Sequence, residues 1–270
     1  MTVHLLSWNL FHGRDFPPDP KLFTPRSRLL RTTERNATHV QVNRELLDEF
    51  AAVLAGARWD IVLLQECPPR FAEPLGRRCE AEVHRALTAR NALLPLTSAL
   101  ARHNPDLIAS WEGGSNTTLV RRAGSTGPIA DRRRLTLRPS ARPERRTMGF
   151  TRLASGLCVA NLHASTSDSR AEEEVLAAAA RAVEWAGDAP LVLGGDLNVR
   201  PCQGEVFVEL RERYGFSAPA DPDAIDHLLA RGLEVVEPAR VWPPQARELS
   251  EQDLALRPSD HSPVQASFRL

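Results

Sequence analysis

The sequence predicts an α+β fold in which two β-sheets pack face to face with helices on their outer surfaces. Apolar segments of strand length recur along the chain, but strands and helices do not alternate in the regular rhythm of a parallel α/β sheet. Residues 106–163 contain five short strand-like segments between Gly, Pro and Ser turns, which is typical of an antiparallel meander. Neither a repeat nor a Gly- or Ser-rich linker divides the 270 residues, so we expect a single domain over 1–270.

The N-terminal third begins with a predicted strand and a long loop. Alternating apolar residues with β-branched and aromatic side chains predict a strand over Val3–Asn9. The polar stretch 12–36 contains four prolines, and a loop of this length in a compact domain is usually functional or disordered. The other elements predicted here are a helix over 42–54, with apolar residues three and four apart, a buried strand over 60–65, and a second helix over 70–88.

The C-terminal part follows the meander with two more buried strand patterns and an alanine-rich helix. An apolar run ends at Asp196, and its length and flanking glycines predict a buried strand. The predicted elements are a helix over 172–185, the strand ending at Asp196, a short helix over 205–211, and strands over 224–229, 233–241 and 263–270.

The charge is balanced overall but uneven along the chain. The 34 basic and 34 acidic residues argue against a protein that coats nucleic acid or a membrane by bulk charge. Residues 119–152 nevertheless contain ten arginines and two acids, whereas residues 203–260 contain twelve acids and six arginines. Two readings of the arginine-rich segment are equally good: it steers a phosphorylated substrate, or it protects a sheet edge from pairing.

Cysteine spacing and hydropathy restrict the cofactor and the compartment. The four cysteines form no C-x-x-C pair and have no short spacing to histidine, so structural zinc and a disulfide framework both fit poorly. No window reaches the roughly 18 apolar residues that a membrane span needs, and the N-terminus does not resemble a signal peptide. We therefore expect a cytoplasmic protein with no membrane span.

Polar side chains collect where the predicted strands end. Such side chains converge on one rim of a pair of packed sheets, and a set rich in carboxylate and amide oxygens suits a hard cation such as Mg²⁺. Each residue alone also has an ordinary explanation as a turn or cap residue. The residues are Asn9, Glu66, His163, Asp196, Asn198, Asp226, Asp260 and His261.

These residues stand in six segments that together resemble the endonuclease/exonuclease/phosphatase (DNase I-like) superfamily. One such segment alone would be weak, but here six occur in the family's order between residues 3 and 264. The resemblance implies a four-layer α/β sandwich that hydrolyses phosphate esters with Mg²⁺ or Mn²⁺. The segments are LLSWN with Asn9, DIVLLQE with Glu66, NLH with His163, GGDLN with Asp196 and Asn198, AIDHLL with Asp226, and SDHSPV with Asp260 and His261.

The resemblance also implies a role for each residue. Glu66 would be the principal metal ligand, with Asn9 and Asp260 nearby. Asp196 would orient or deprotonate the attacking water, and Asn198 would donate to the scissile phosphate. His163 and His261 would supply charge to the transition state or protonate the leaving oxygen. Asp226 would fix one of these two histidines, and which one is open.

Three further residues are candidates for contacting the substrate phosphate. Asn116 matches a family position near the site, although a turn residue is an equal reading. Arg146 lies where family members often place a phosphate-contacting side chain. His12 either faces the site or caps the loop that follows the first strand. Ser259 and Asp260 cannot form a hydrolase triad with His261, because neighbouring residues on a strand point apart.

The function that we expect is divalent-metal-dependent hydrolysis of a phosphodiester, with nucleic acid as the leading substrate. We expect the enzyme to be a monomer. A histidine at 163, as in DNase I-like members, favours a diester, whereas NLHAS departs from the exonuclease III pattern and argues against abasic-site repair. One alternative is a phosphomonoesterase or phospholipase-type hydrolase acting on a small or lipid ester. Another is a binding module for phosphate ligands without turnover, against which the complete set of acid, base and metal residues argues.

Overall fold

Two large β-sheets stack face to face in the computed structural model, which describes residues 1–88, 93–138, 145–202, 204–219 and 221–270. Sheet 1 consists, in spatial order, of β12 (Glu234–Val241), β15 (Val264–Arg269), β1 (Thr2–Asn9), β4 (Ile61–Cys67), β6 (Ser115–Arg121) and β5 (Ala81–Leu87). Sheet 2 consists of β11 (Asp226–Arg231), β10 (Leu191–Asp196), β9 (Cys158–His163), β8 (Arg146–Leu153) and β7 (Ile129–Arg138).

A smaller sheet and the helices complete the described part of the chain. The smaller sheet consists of β13 (Leu249–Glu251), β14 (Leu254–Leu256), β3 (His39–Gln41) and β2 (Glu34–Arg35). The helices are α1 (Pro25–Leu30), α2 (Leu47–Gly56), α3 (Ala72–Arg78), α4 (Leu94–His103), α5 (Pro105–Glu112), α6 (Asp168–Ala186) and α7 (Val206–Tyr214).

The core has three apolar layers, and β1 shows why. Its successive side chains point to opposite faces, so Leu5 packs between the two sheets while Leu6 and Trp8 pack under the helices. Phe50 of α2 belongs to the same outer layer of sheet 1, and α6 covers the outer face of sheet 2, for example with Ala178. The predicted α+β fold, a four-layer sandwich of helices, sheet, sheet and helices, is therefore confirmed.

Parallel pairing brings the ends of the central strands to one edge. β1 runs parallel to β4, which places Asn9 opposite Gln65. β9 runs parallel to β10, which places His163 opposite Asp196, and antiparallel β11 begins there with Asp226. Because both parallel pairs end at this edge, residues far apart in sequence become neighbours.

A buried amide network fastens the two sheets close to that edge. Gln65 donates to Asn161 Oδ1 over 2.8 Å, and Asn161 donates in turn to the carbonyls of Leu64 and Thr117, at 3.2 and 3.1 Å. Gln65 and Asn161 are fully buried. A hydrogen-bonded buried network of this kind favours one relative position of the sheets, since any slip would leave polar groups unpaired.

Three element predictions are wrong in part. The stretch 12–36 is not a structureless loop, because α1, β2 and the 3-10 turn Pro20–Leu22 form within it. The helix predicted over 70–88 ends at Arg78 and is followed by β5. The strand predicted from 106 is instead α5, because Pro105 opens a helix that is capped by Asn104, whose side-chain oxygen accepts the N–H of Leu107 at 3.2 Å.

Gly195, the penultimate residue of β10, is required by close strand packing. Its φ is +132°, and a Cβ there would overlap the carbonyl of Leu162 on β9. We expect Gly195→Ala to lower the free energy of unfolding by about 3 kcal/mol, through backbone strain and overpacking. Urea denaturation measures the free energy of unfolding. The control is Gly56→Ala, at a helical position with open space around it, where the free energy of unfolding should stay unchanged or rise by up to ~1 kcal/mol.

His84 makes the sandwich sensitive to acid. It bridges the sheets by a 2.8 Å hydrogen bond to Thr151, and burial, with help from Arg132, lowers the pKa of His84 to about 4. The unfolded chain binds this proton below about pH 6.5 while the folded chain does not, so stability falls as the pH drops from about 6.5 to about 4.

Between about pH 6.5 and about pH 4, we expect the free energy of unfolding of His84→Gln to fall less steeply than that of wild type, by up to about 1.4 kcal/mol per pH unit. Gln can keep a hydrogen bond to Thr151 but cannot titrate. The measurement is the free energy of unfolding in urea at about pH 7 and about pH 5, compared with the exposed His103→Gln as control. An unchanged slope in His84→Gln would show that the folded protein already carries this proton.

Candidate active site

Asp196 lies at the centre of the polar cluster. It ends β10, is 2% exposed, and both of its carboxylate oxygens accept hydrogen bonds. The Asn9 side chain donates to Oδ2 at 2.9 Å, and the backbone N–H of Asn198 donates to Oδ1 at 3.2 Å. Burial, reinforced by the neighbouring Asp226, raises the pKa of Asp196 to about 7. A carboxylate with such a pKa can accept a proton near neutral pH.

His261 is the partner of Asp226. Its Nδ1 lies 2.7 Å from Asp226 Oδ2, and its Nε2 lies 3.8 Å from Asp196 Oδ2. Burial opposes the charged imidazolium, but Asp226 outweighs it, and Asp196 and Asp260 add to the effect, so the pKa of His261 rises to about 10. The sequence left the partner of Asp226 open, and the structure shows that this partner is His261.

His163 lies near the same oxygen of Asp196 as His261 does, but it is neutral. Its Nε2 lies 3.5 Å from Asp196 Oδ2, and its Nδ1 lies 3.3 Å from a guanidinium nitrogen of Arg146. Burial and the charge of Arg146 lower the pKa of His163 to about 3. Because Arg146 can only donate, Nδ1 accepts and Nε2 carries the hydrogen, which points toward the carboxylates. The two histidines therefore differ in charge although both contact Asp196.

Glu66 enters the site through an irregularity in β4. The register of β4 against β6 shifts between Leu64 and Cys67, and Glu66 has a φ of +46°. Bulges of this kind re-aim a side chain, and here the Glu66 carboxylate lies 3.3 Å from His12 Nε2 and 3.9 Å from His163 Nε2. Burial would raise the pKa of Glu66, but the nearby histidines and Arg14 hold it below its ordinary value.

The donor set fits a hard divalent cation. Asn9, Glu66 and Asp260 offer amide and carboxylate oxygens, which Mg²⁺ and Mn²⁺ prefer, and no thiolate. Burial raises the pKa of Asp260 and the charge of Glu66 raises it further, so the two carboxylates lie within electrostatic reach of each other. A cation between them would relieve that repulsion. The Asn9 oxygen also accepts the N–H of Phe11 at 2.9 Å, which fixes the orientation of its amide.

A second grouping of possible ligands overlaps this one. One ligand atom each from Asp196, Asp226 and His261 lie within 4.8 Å of one another. The 2.7 Å contact between Asp226 and His261 already engages the Nδ1 atom, and the raised pKa of His261 keeps both ring nitrogens protonated. A protonated imidazole is no metal ligand, so the oxygen set around Glu66 fits a cation better.

The three candidate phosphate contacts fall in different places. Arg146 lies beside His163 and His12 beside Glu66, so both belong to the cluster. Asn116 is 1% exposed and donates to the carbonyl of Thr147 at 2.6 Å, so it supports the strand that carries Arg146. Its contact with a substrate stays a prediction. The Asn198 amide donates to the carbonyl of Ala164 at 3.1 Å, which leaves one N–H for a ligand.

Two residues that position the site were not predicted from the sequence. Ser259, fully buried at a φ of +63°, donates to the carbonyl of Asn9 at 2.6 Å and accepts the N–H of His261 at 3.0 Å. Arg247, 3% exposed, donates to the carbonyls of Pro258 and Ser259 at 3.0 and 3.4 Å. Both hold the segment that carries Asp260 and His261. The SDH motif was a sequence signal that could have identified Ser259, whereas no sequence motif identifies Arg247.

Solved structures share this architecture at low sequence identity. The mannosyl-6-phosphatase of Bacteroides thetaiotaomicron VPI-5482 aligns with a TM-score of 0.65 at 15% identity, over 99% of this chain and 100% of that one. An endonuclease/exonuclease/phosphatase family protein of Bacteroides thetaiotaomicron gives 0.64 at 16%, over 99% and 95%. Truncated Caenorhabditis elegans TDP2 gives 0.58 at 15%, over 100% and 98%. These likenesses establish the fold.

A four-layer sandwich with such a polar cluster at one edge belongs to the DNase I-like class of folds. The chain is a member of the endonuclease/exonuclease/phosphatase family, whose sequence model matches residues 6–261, and members of this family are generally phosphoric ester hydrolases. No curated protein matches the sequence. Among the residues that the structure describes, no helix has the length and apolar character needed to cross a membrane.

Proposed function

We propose that the protein hydrolyses a phosphodiester with the help of a divalent cation, by in-line attack of water. The observation that carries the proposal is one buried carboxylate, Asp196, with the Nε2 atoms of His163 and His261 at 3.5 and 3.8 Å from its Oδ2, one ring neutral and the other protonated. In a displacement at phosphorus, a carboxylate can accept the proton of the attacking water, and neighbouring N–H donors can stabilise the negative charge that develops on the phosphoryl oxygens. His163, which DNase I-like members also use, supports a diester as substrate.

Asp196 is suited to receive the proton of the attacking water. Asn9 and the backbone of Asn198 hold its carboxylate in place, and its raised pKa leaves it able to bind that proton. A cation held by Asn9, Glu66 and Asp260 would neutralise charge on the phosphate when bound. These ligands come from the end of β1, the bulge in β4 and the segment before β15, and together they would orient the phosphate against Asp196.

His261 and Arg146 are suited to stabilise the phosphoryl oxygens. In an in-line displacement the attacking and leaving oxygens lie on opposite sides of phosphorus. His261 Nε2 is 3.8 Å from Asp196, the base that receives the proton of the attacking water, so it belongs to the attack side rather than to the leaving group. Its positive charge, fixed by Asp226, and that of Arg146 beside His163 would then act on the equatorial oxygens.

The experiment is a turnover assay on the full chain after EDTA treatment, with and without Mg²⁺ or Mn²⁺. The substrates are plasmid DNA, single-stranded RNA, bis-p-nitrophenyl phosphate and p-nitrophenyl phosphate. We expect cation-dependent turnover of a diester, lowered at least about 100-fold by Glu66→Gln and unchanged by the exposed Glu73→Gln. Turnover of the monoester alone would replace the proposal by a phosphomonoesterase. Absence of cation-dependent turnover on all four would leave a binding module.

A further inference from the structure

A surface of α1, α4 and α5 exposes large apolar side chains in a regular pattern. Leu96 and Leu100 are four residues apart on α4, with Leu93 directly before that helix, and Leu107 and Trp111 are four apart on α5, so each helix carries exposed apolar residues on one face. Leu93 is 74% exposed and Trp111 64%. Side chains of this size and exposure, clustered on neighbouring helices, indicate an interaction surface.

The three helices are held together as one surface. α4 and α5 pack against each other and are joined at Asn104, which donates to the carbonyl of Arg28 at 2.8 Å. Asn43 donates to the carbonyl of Ser27 at 3.0 Å and to Asn104 Oδ1 at 2.9 Å. The end of α1, with Leu29 and Leu30 exposed at 65% and 70%, therefore lies against the junction of the other two helices.

The exposed charges of the segments that form this surface have one sign, although Arg102 also lies 3.7 Å from Glu45, a partly exposed carboxylate outside them. Segments 25–31 and 93–112 contain two acidic residues, Asp106 and Glu112, and both are buried. The exposed ionisable groups of these segments are cationic or, for histidine, become so on protonation. They are Arg26, Arg28, Arg31, Arg102 and His103. We call the seven exposed apolar residues and these five side chains the leucine–arginine surface.

We propose that the leucine–arginine surface binds the headgroup region of an anionic phospholipid bilayer. Exposed leucines and a tryptophan favour the boundary between headgroups and acyl chains, and arginines are attracted to anionic lipids. A nucleic acid would pair with the arginines but gain little from seven apolar side chains. A second copy would bring four arginines against four others, which opposes self-association.

The surface adjoins the catalytic edge. α5 contacts the turn Phe11–Gly13, which carries His12 beside Glu66. A cavity of about 270 Å³ lies between α1, α5 and this turn. Its lining residues are Phe11, Arg14, Phe16, Phe23, Arg28 and Asp106. Binding of the surface to a bilayer would therefore place the active site near the lipid headgroups, whether or not the site turns over.

The experiment is cosedimentation of the full chain with phosphatidylcholine vesicles, with and without about 30 mol% phosphatidylglycerol. We expect binding to the anionic vesicles alone, weakened between about 0.1 M and 1 M salt. The double variant Leu96→Ser/Trp111→Ser should bind at least about tenfold more weakly. Its matched control is Val208→Ser/Val236→Ser, which removes valines that are 41% and 39% exposed on α7 and β12. Equal urea midpoints establish that all variants are folded.

Two further measurements distinguish a bilayer from a nucleic acid or a second copy of the chain as the partner of this surface. Lipids brominated in the acyl chain should quench the fluorescence of Trp111, and Trp111→Phe should lose most of that quenching. Arg26→Gln/Arg102→Gln should weaken vesicle binding, while Arg211→Gln/Arg213→Gln on α7 should not. The proposal is overturned if anionic vesicles do not bind, or if Leu96→Ser/Trp111→Ser binds as tightly as wild type. Two other results would also overturn the proposal if vesicles do not bind. One is binding of duplex DNA that Leu96→Ser/Trp111→Ser abolishes, and the other is a dimer in light scattering that the same variant abolishes.

Discussion

Asp196→Asn is expected to lower kcat on the diester by roughly 10²–10⁴-fold, the range for losing a general base, and to leave KM nearly unchanged. Asn has almost the same shape as Asp but cannot take the proton of the attacking water. Asn9 can still donate to the side-chain oxygen at this position. The loss therefore falls on the chemical step rather than on substrate binding.

The fold should tolerate this change. Burial raises the pKa of Asp196 from its ordinary value of 3.8 to about 7, so the folded protein loses stability as the pH rises between these values, and a neutral side chain removes that loss. One N–H of the new amide will face the backbone N–H of Asn198, which offsets the gain. We expect the free energy of unfolding in EDTA to stay within about 1 kcal/mol of wild type. Asp188→Asn, an exposed carboxylate before β10, is the control, and wild-type kcat in Asp196→Asn would refute the role of the base.

The residues of this site were predictable because each lies in a short motif at the end of an apolar strand. Asn9, Glu66, His163 and Asp196 follow the four strands whose ends the parallel pairs bring together. The partner of Asp226 was not predictable. His261 is 35 residues away in the segment before β15 of sheet 1, whereas Asp226 begins β11 of sheet 2, so their contact depends on how the two sheets pack.

Two sequence patterns did not identify the structure that they form. The apolar run after Asp106 has the composition of a strand, but the proline and asparagine before it start a helix. The arginine-rich segment gave two equal readings, and the structure supports edge protection for part of it. β7 is the outer strand of sheet 2, where Arg132 lies 3.4 Å from Glu82 and Arg133 2.7 Å from Asp131. Steering of a substrate by the remaining arginines stays a prediction.

Asp226→Asn is expected to lower kcat by about 100-fold or more, through loss of the charge on His261. Asp226 is 7% exposed and its contact with His261 is 2.7 Å, so the neutral amide keeps the shape and removes the counter-ion. The pKa of His261, about 10 with Asp226 present, should fall. A group that must be protonated then loses its proton at lower pH, so the alkaline limb of kcat/KM should move toward neutral pH.

The leaving group distinguishes what His261 does. If it stabilises the phosphoryl oxygens, as its position beside Asp196 indicates, Asp226→Asn should slow a p-nitrophenyl diester and an alkyl diester by the same factor. If His261 instead protonates the leaving oxygen, the p-nitrophenyl ester should be largely spared, because nitrophenolate leaves without a proton. The exposed Asp223→Asn should change neither rate. An unmoved alkaline limb together with wild-type kcat in Asp226→Asn would mean that the ion pair between Asp226 and His261 serves the fold rather than the reaction.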